Sequence, residues 1–304
     1  MTINDRIAGA IWGQLCGDAA ALGSHWIYDL DEMKRSYPGG LRGFEEPIEG
    51  HYHFGKHAGE QTPYGDAALL MLESVAELGH FDERDFGRRF IAFFSDYPGY
   101  IDHATRDTLQ RYADFCRYED ASTFDYQLGA DDDQLGTASR LAPVVVAHRA
   151  DRHLAAVVTR ATWVTQYNDY AVRCMVTNAA LLASFLEGAE LEAAVGWAPP
   201  HEGLRAALEA RNVEVVPATA RFGKACPLPQ SFPSALQTLL HHSDDYKAAI
   251  LACLEAGGDN AGRAAMLGAW MGARLGVDAI PAEWRARLKA GEAITRHVSR
   301  LSQA

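Results

Sequence analysis

Helical periodicity runs through nearly all of this 304-residue chain. It places the chain in the all-α class, as one domain over residues 1–304. Three observations carry that assignment. Apolar residues recur at spacings of three and four in segment after segment. Alternating β-branched runs are scarce. Irregular stretches are few, and none is a flexible Gly/Ser linker.

Taken in order, residues 5–24 set Ile7, Ile11, Leu15 and Leu22 among Gly and Ala, a pattern suited to close helix packing. Residues 25–64 hold Pro38, Gly39, Gly40, Gly43, Pro47, Gly50, Gly55, Gly59 and Pro63. They read as a long loop, and long loops in compact proteins are functional or disordered. Trp26, Tyr28, Tyr37, Phe44, Tyr52, Phe54 and Tyr64 argue for an ordered loop that lines something. Residues 66–79 repeat the helical pattern through Ala67, Leu70, Met71, Ser74, Val75 and Leu78. Further helices are expected over 82–95, 102–117, 137–149, 151–165, 169–187 and 202–212, then over 231–242, 244–256, 260–275 and 282–302. The run Val213-Glu214-Val215-Val216-Pro217 reads as extended loop, with a short strand as the alternative.

Twenty-eight basic residues stand against 40 acidic ones, for a net charge of −12. That balance excludes an extended nucleic-acid surface, which needs clustered Lys and Arg to neutralise phosphates. The five cysteines form no CxxC pair, and no secretory signal opens the chain, so reduced thiols and a cytoplasmic location are expected. No window approaches 18 uninterrupted apolar residues, so no membrane span is expected.

Four polar groups interrupt the helical pattern. Asp18 follows Gly17 inside a Gly/Ala-rich helix, where an unpaired carboxylate is costly; it either shapes the core through hydrogen bonds or binds a ligand. Gly59 to Asp66 leads from a Gly/Pro loop into a helix. Thr62 or Asp66 can cap that helix, whose positive end also suits an anion or diphosphate. Asp131-Asp132-Asp133 reads as a solvated turn. Gly257-Gly258-Asp259-Asn260-Ala261-Gly262-Arg263 opens a helix; Asp259 suits the cap, and Arg263, one turn on, can pair with it.

Five segments, in register and nearly end to end, resemble the ADP-ribosylglycohydrolase family. They are Arg6 to Asp18, Glu60 to Leu78, Arg140-Leu-Ala-Pro143, Thr165-Gln-Tyr-Asn-Asp-Tyr-Ala171, and Gly257 to Gly276 followed by Ile280-Pro-Ala-Glu-Trp284. The resemblance implies an all-α fold, a single-domain bundle of orthogonal and antiparallel helices, and a cleft where two Mg²⁺ ions position the ribose hydroxyls of ADP-ribose or an ADP-ribosylated target. It departs at the ligands. Thr62-Pro63-Tyr64-Gly65 stands where the family has Thr-Asp-Asp-Thr, and Asp259-Asn260-Ala261-Gly262 where it has Asp-Thr-Asp-Thr. Gln166 replaces a His. Two hard cations need several anionic ligands, so at most one Mg²⁺ is expected, on Thr62, Asp66 and Asp259, or none, with Arg263 supplying the positive charge. The variant segments resemble the branch of the J-type lens crystallins.

Two functions follow. One is a hydrolase cutting a glycosidic bond of ADP-ribose or a related nucleoside derivative. There Asp66 or Asp259 is the base, and Asp18, Thr62, Tyr64, Gln166, Asn260 and Arg263 hold the ligand, with Trp26 or Tyr28 stacked on a base. The alternative is a non-catalytic member, a ligand binder or a structural protein. A weaker third reading makes Cys226 a thiolate favoured by Lys224. The first two share one expectation: residues 62–66 and 259–263 meet at a single cleft.

Overall fold

The computed structural model describes residues 1–303, and it is helical as the periodicity predicts. The first half runs α1 (Ile3–Ala21), α2 (Leu30–Ser36), α3 (Pro63–Leu78), α4 (Glu83–Phe94), α5 (His103–Phe115), α6 (Ala142–His148), α7 (Leu154–Trp163) and α8 (Asp169–Leu186). The second runs α9 (Leu191–Trp197), α10 (Glu202–Glu209), α11 (Val215–Phe222), α12 (Leu228–His241), α13 (Tyr246–Glu255), α14 (Asn260–Leu275), α15 (Ala282–Arg287) and α16 (Gly291–Leu301). Among the described residues there is no strand, only three isolated β-bridges. No helix among them is long and apolar enough to cross a membrane.

The expected loop at 213–217 is a correction: α11 begins at Val215. Pro217 sits in its first turn, where a missing N–H costs nothing. The loop at 25–64 contains α2, started by the Asp29 side chain accepting from the Asp31 N–H.

At the centre α1 lies antiparallel along α14. Fourteen of the sixteen α14 residues are buried, which makes it the axis of the bundle. Glycines let the two backbones touch. A Cβ on Gly9 would fall 2.0 Å from the Gly272 carbonyl oxygen, and one on Gly13 would fall 2.1 Å from that of Gly268. Tyr246 of α13 closes this seam by donating its hydroxyl to the Gly13 carbonyl at 2.7 Å. Helices α3, α8, α12, α13 and α16 pack around the pair, and one continuous apolar cluster runs from Ile7 to Leu301. The seam fixes the C-terminal end of α1 beside the N-terminal end of α14. Asp18 and Asp259 lie there.

Candidate functional site

Helix α3 is held to α1 by its first residues. Thr62 is its N-cap: the hydroxyl accepts from the Tyr64 N–H at 3.2 Å, and Pro63 fills the next position. The same hydroxyl donates to Asp18 Oδ1 at 2.5 Å, and the Thr62 N–H donates to Asp18 Oδ2 at 2.8 Å. With its amide turned to donate, Gln61 adds a third bond to Oδ2 at 2.7 Å. Asp18 is fully buried. Burial pushes its carboxyl up to about 7 against the pull of these bonds. Its side chain is taken up in docking α3.

One turn into α3, Asp66 meets Lys56 Nζ at 2.7 Å and accepts from the Tyr97 hydroxyl at 2.5 Å. Burial raises its carboxyl even with Lys56 beside it. Its side chain keeps 17% of its surface accessible.

Asp259 is reached through two glycines at φ +70° and +69°, the left-handed region that other residues rarely enter. These glycines hydrogen-bond the 25–28 loop: the Trp26 N–H donates to the Gly258 carbonyl, and the Gly258 N–H to the Ile27 carbonyl, both at 2.8 Å. The expected cap is absent, since the Asp259 side chain makes no bond to the first turn of α14. Its carboxylate turns to three side chains instead. His25 Nε2 lies 3.2 Å from Oδ1; the Trp26 indole N–H donates to Oδ2 at 3.2 Å, and the Tyr64 hydroxyl donates to Oδ2 at 3.0 Å. Burial would raise the carboxyl, but His25, Arg263 and Trp26 outweigh it and hold it below the usual carboxylate range. Behind His25 the chain continues to His53, with Nδ1 and Nε2 2.8 Å apart. His51 Nε2 braces the His25 carbonyl at 2.8 Å. Burial, helped by the neighbouring His25, depresses both His51, to about 4, and His53, so both are neutral at pH 7.

Residues 62–66 and 259–263 therefore touch, through Tyr64 on Asp259, but both side chains are buried there and Asp66 faces Lys56 and Tyr97, so the contact is not the open cleft expected. The other expected contacts differ. Arg263 does not pair with Asp259: its guanidinium donates to the carbonyls of Lys224, at 3.1 Å, and Gly257. Asn260 donates to Ser24 Oγ at 3.0 Å and to the Leu254 carbonyl at 3.2 Å, both within the core. Gln166 is spent on the acidic turn. Its oxygen accepts from the Thr137 N–H at 2.7 Å, and its amide donates to the Gln134 carbonyl at 2.7 Å. Cys226 is not activated: burial and the nearby Asp259 push its thiol up to about 12, while Lys224 Nζ turns to the Tyr28 carbonyl at 3.3 Å. Sequence reasoning missed His25, His53, Lys56 and Tyr97. The His-x-His at 51–53, inside an aromatic loop, was the available signal.

Trp26, which bonds Asp259, borders a cavity of about 180 Å³ lined also by Tyr28, Tyr52, Tyr100, Asp102 and Cys226.

A model of the ADP-ribosylglycohydrolase family matches residues 1–304. The chain belongs to that family. Crystallin J1A of Tripedalia cystophora is 25% identical, covering 98% of this chain and 97% of the crystallin. The ADP-ribosyl-[dinitrogen reductase] glycohydrolase of Rhodospirillum rubrum is 24% identical, over 99% of this chain and 96% of the enzyme. A solved structure described as an ADP-ribosylglycohydrolase-related protein complex shares the fold, with a TM-score of 0.72 and 24% identity, over 99% of this chain and 98% of that one.

The family resemblance implies Mg²⁺, and the donor set can be tested for it. A hard cation needs oxygen ligands turned toward one point. Thr62 is bound to Asp18, Asp66 to Lys56 and Tyr97, and both oxygens of Asp259 to nitrogen and hydroxyl donors. Position 262 has no room for a ligand side chain either, because a Cβ there would lie 2.8 Å from Cβ of Leu135. Among the described residues, no three His, Cys, Asp or Glu side chains gather as a metal-holding group. These residues do not fit the ion.

Proposed function

We propose that this ADP-ribosylglycohydrolase-family protein binds a nucleoside- or ADP-ribose-like ligand in the aromatic cavity and lacks the family's Mg²⁺-dependent turnover. The observation that carries this reading is the engagement of Asp259 by His25, Trp26 and Tyr64. Three of the roughly four lone-pair positions of this buried carboxylate are taken by protein donors, and the positively polarised groups already around it oppose a cation there. Tyr64 stands where the resemblance implies a metal-binding Asp. Its hydroxyl proton supplies to Asp259 part of the positive charge an ion would have supplied.

Of the sequence-derived candidates, Trp26 and Tyr28 remain ligand-facing, whereas Asp18, Gln166, Asn260 and Arg263 serve the scaffold. The catalytic alternative rests on Asp66. Its raised carboxyl is partly accessible, as a general base requires. The five unpaired cysteines support a reducing compartment such as the cytoplasm.

The test is incubation with ADP-ribosylated arginine and serine peptides, with and without Mg²⁺, alongside thermal unfolding with ADP-ribose. The expected outcome is a raised Tm that is independent of Mg²⁺, without release of ADP-ribose. Release that requires Mg²⁺ would overturn the proposal. Release that survives chelation but disappears in Asp66→Asn would establish the catalytic alternative.

A further inference from the structure

We infer that the cavity bordered by Trp26 takes an organic cation with a quaternary nitrogen, either a pyridinium-type ring or a methylated ammonium. This rests on the proposed binding role and names the part of the ligand that the cavity would hold.

Three of the wall rings meet edge to face. Trp26 meets Tyr52 at 5.3 Å between ring centroids and 80°, and meets Tyr100 at 5.0 Å and 81°; Tyr52 meets Tyr100 at 5.2 Å and 61°. The ring surface that these contacts leave uncovered belongs to aromatic systems whose faces attract cations. Tyr100 already does so on the protein's own account, with the Arg106 guanidinium 5.8 Å from its centroid. The rings are left open to solvent: Tyr52 is 57% exposed, Tyr28 45% and Tyr100 38%. Trp26 is held at φ +65°, a costly conformation for a bulky side chain. Its indole is fixed there by the bond to Asp259. The fold thus retains strain and exposed aromatic surface at the same spot.

The charge has a matching sign. Asp102 lines the cavity, is 6% exposed, and makes no salt bridge among the described residues. Its oxygens accept only from the Thr105 N–H at 2.8 Å and the Thr105 hydroxyl at 2.9 Å. No Lys or Arg lines the cavity; the remaining lining groups are His103 and Gln134. Asp132 and Asp259 add to the negative field, which the Cys226 thiol registers. A diphosphate would be repelled here, so that part of an ADP-ribose-like ligand would lie outside the cavity. A quaternary nitrogen has no N–H to place and is served by the aromatic walls and the negative field alone. At about 180 Å³ the cavity is below the roughly 300–1,000 Å³ of sites for drug-sized ligands. It has room for one ring or one trimethylated nitrogen, and the rest of a larger ligand would lie outside.

Calorimetric titration of the full chain with 1-methylnicotinamide, its neutral isostere nicotinamide, tetramethylammonium and ADP-ribose tests this. The methylated pyridinium should bind at least tenfold more tightly than nicotinamide. Its ratio to tetramethylammonium tells a flat cation from a tetrahedral one. Tyr52→Leu, at an exposed position, and Asp102→Asn, which keeps a capping side chain, should each weaken the cation fivefold or more. Equal affinity for nicotinamide and its methylated form, or an unchanged Kd in a folded Tyr52→Leu, would overturn the inference. ADP-ribose binding with no preference for cations would remove the inference and leave the proposed function standing. Cation binding with no response to ADP-ribose would do the reverse.

Discussion

Asp66 and Asp259 are both carboxylates at the start of an α-helix; Asp259 matches a metal-binding Asp of the resemblance, and Asp66, just past the other ligand segment, was the candidate to share an ion with it. Their environments have driven them apart. Asp66 is tied to a lysine and a tyrosine at the edge of the molecule, and its carboxyl is raised. Asp259 is wholly enclosed, yet its carboxyl is lowered. Burial acts upward on both, so the difference lies in the partners. Lys56 brings a full charge, but from a half-solvated position and with Glu60 opposing it. Asp259 has an imidazole, an indole and a phenol aimed at its two oxygens, and a buried guanidinium behind them. The positive end of a helix, common to both, does not decide the outcome.

Asp259 is also a junction. It joins the 25–28 loop, α3 and α14, whereas Asp66 latches Lys56 and Tyr97 onto α3. Asp259→Ala leaves three donors from two segments, the 25–28 loop and α3, unpaired and should cost about 3–5 kcal/mol. Asp66→Ala lets Lys56 turn to water and should cost about 1–2 kcal/mol. Urea unfolding of the two variants measures both. Equal losses would break the contrast.

That contrast was only half legible in the sequence. Period three-and-four spacing marked the long helices because an amphipathic stripe is a local property. The short helices α2 and α9 offer barely two turns each, too little for a period to register. Asp259 stood out because two glycines and a helix start are adjacent in the chain. Its partners did not, since His25 and Trp26 lie more than 200 residues away, brought in by the α1–α14 seam. Pairing Asp259 with Arg263 followed from helical spacing. It failed because the left-handed glycine pair turns the Gly257 carbonyl inward, and the guanidinium bonds to that carbonyl and to Lys224's instead. Spacing tells which side chains share a face, not which backbone acceptors face them.

Tyr64→Phe sharpens the comparison at the point of substitution. It removes one charge-assisted hydrogen bond from Asp259 and leaves the ring in place. The expected loss is about 1.5–3 kcal/mol in urea unfolding. In a double-mutant cycle with Asp259→Asn, most of that loss should appear as coupling. If the loss persists undiminished on the Asn background, Tyr64 acts through packing, and the hydroxyl has not taken over an ion's place.

The smallest effect is the one with opposite signs at the two residues. A lowered carboxyl, as at Asp259, contributes stability that is present above its unfolded value of 3.8 and is lost as pH falls through the folded one. A raised carboxyl does the opposite. The native state keeps a proton that the unfolded chain releases, so the contribution of Asp66 declines as pH rises above 3.8, and that of Asp18 declines between 3.8 and about 7. Each group tilts stability by at most about 1.4 kcal/mol per pH unit. His51 and His53, both depressed, add their own loss below pH 6.5, so the difference between variant and parent is the useful quantity. Unfolding midpoints from pH 3 to 8 should show Asp18→Asn and Asp66→Asn flattening the decline above pH 4, and Asp259→Asn flattening the loss below it. If Asp66→Asn instead removed stability that grows with pH, its lysine would outweigh its burial. The two carboxylates would then differ in degree alone.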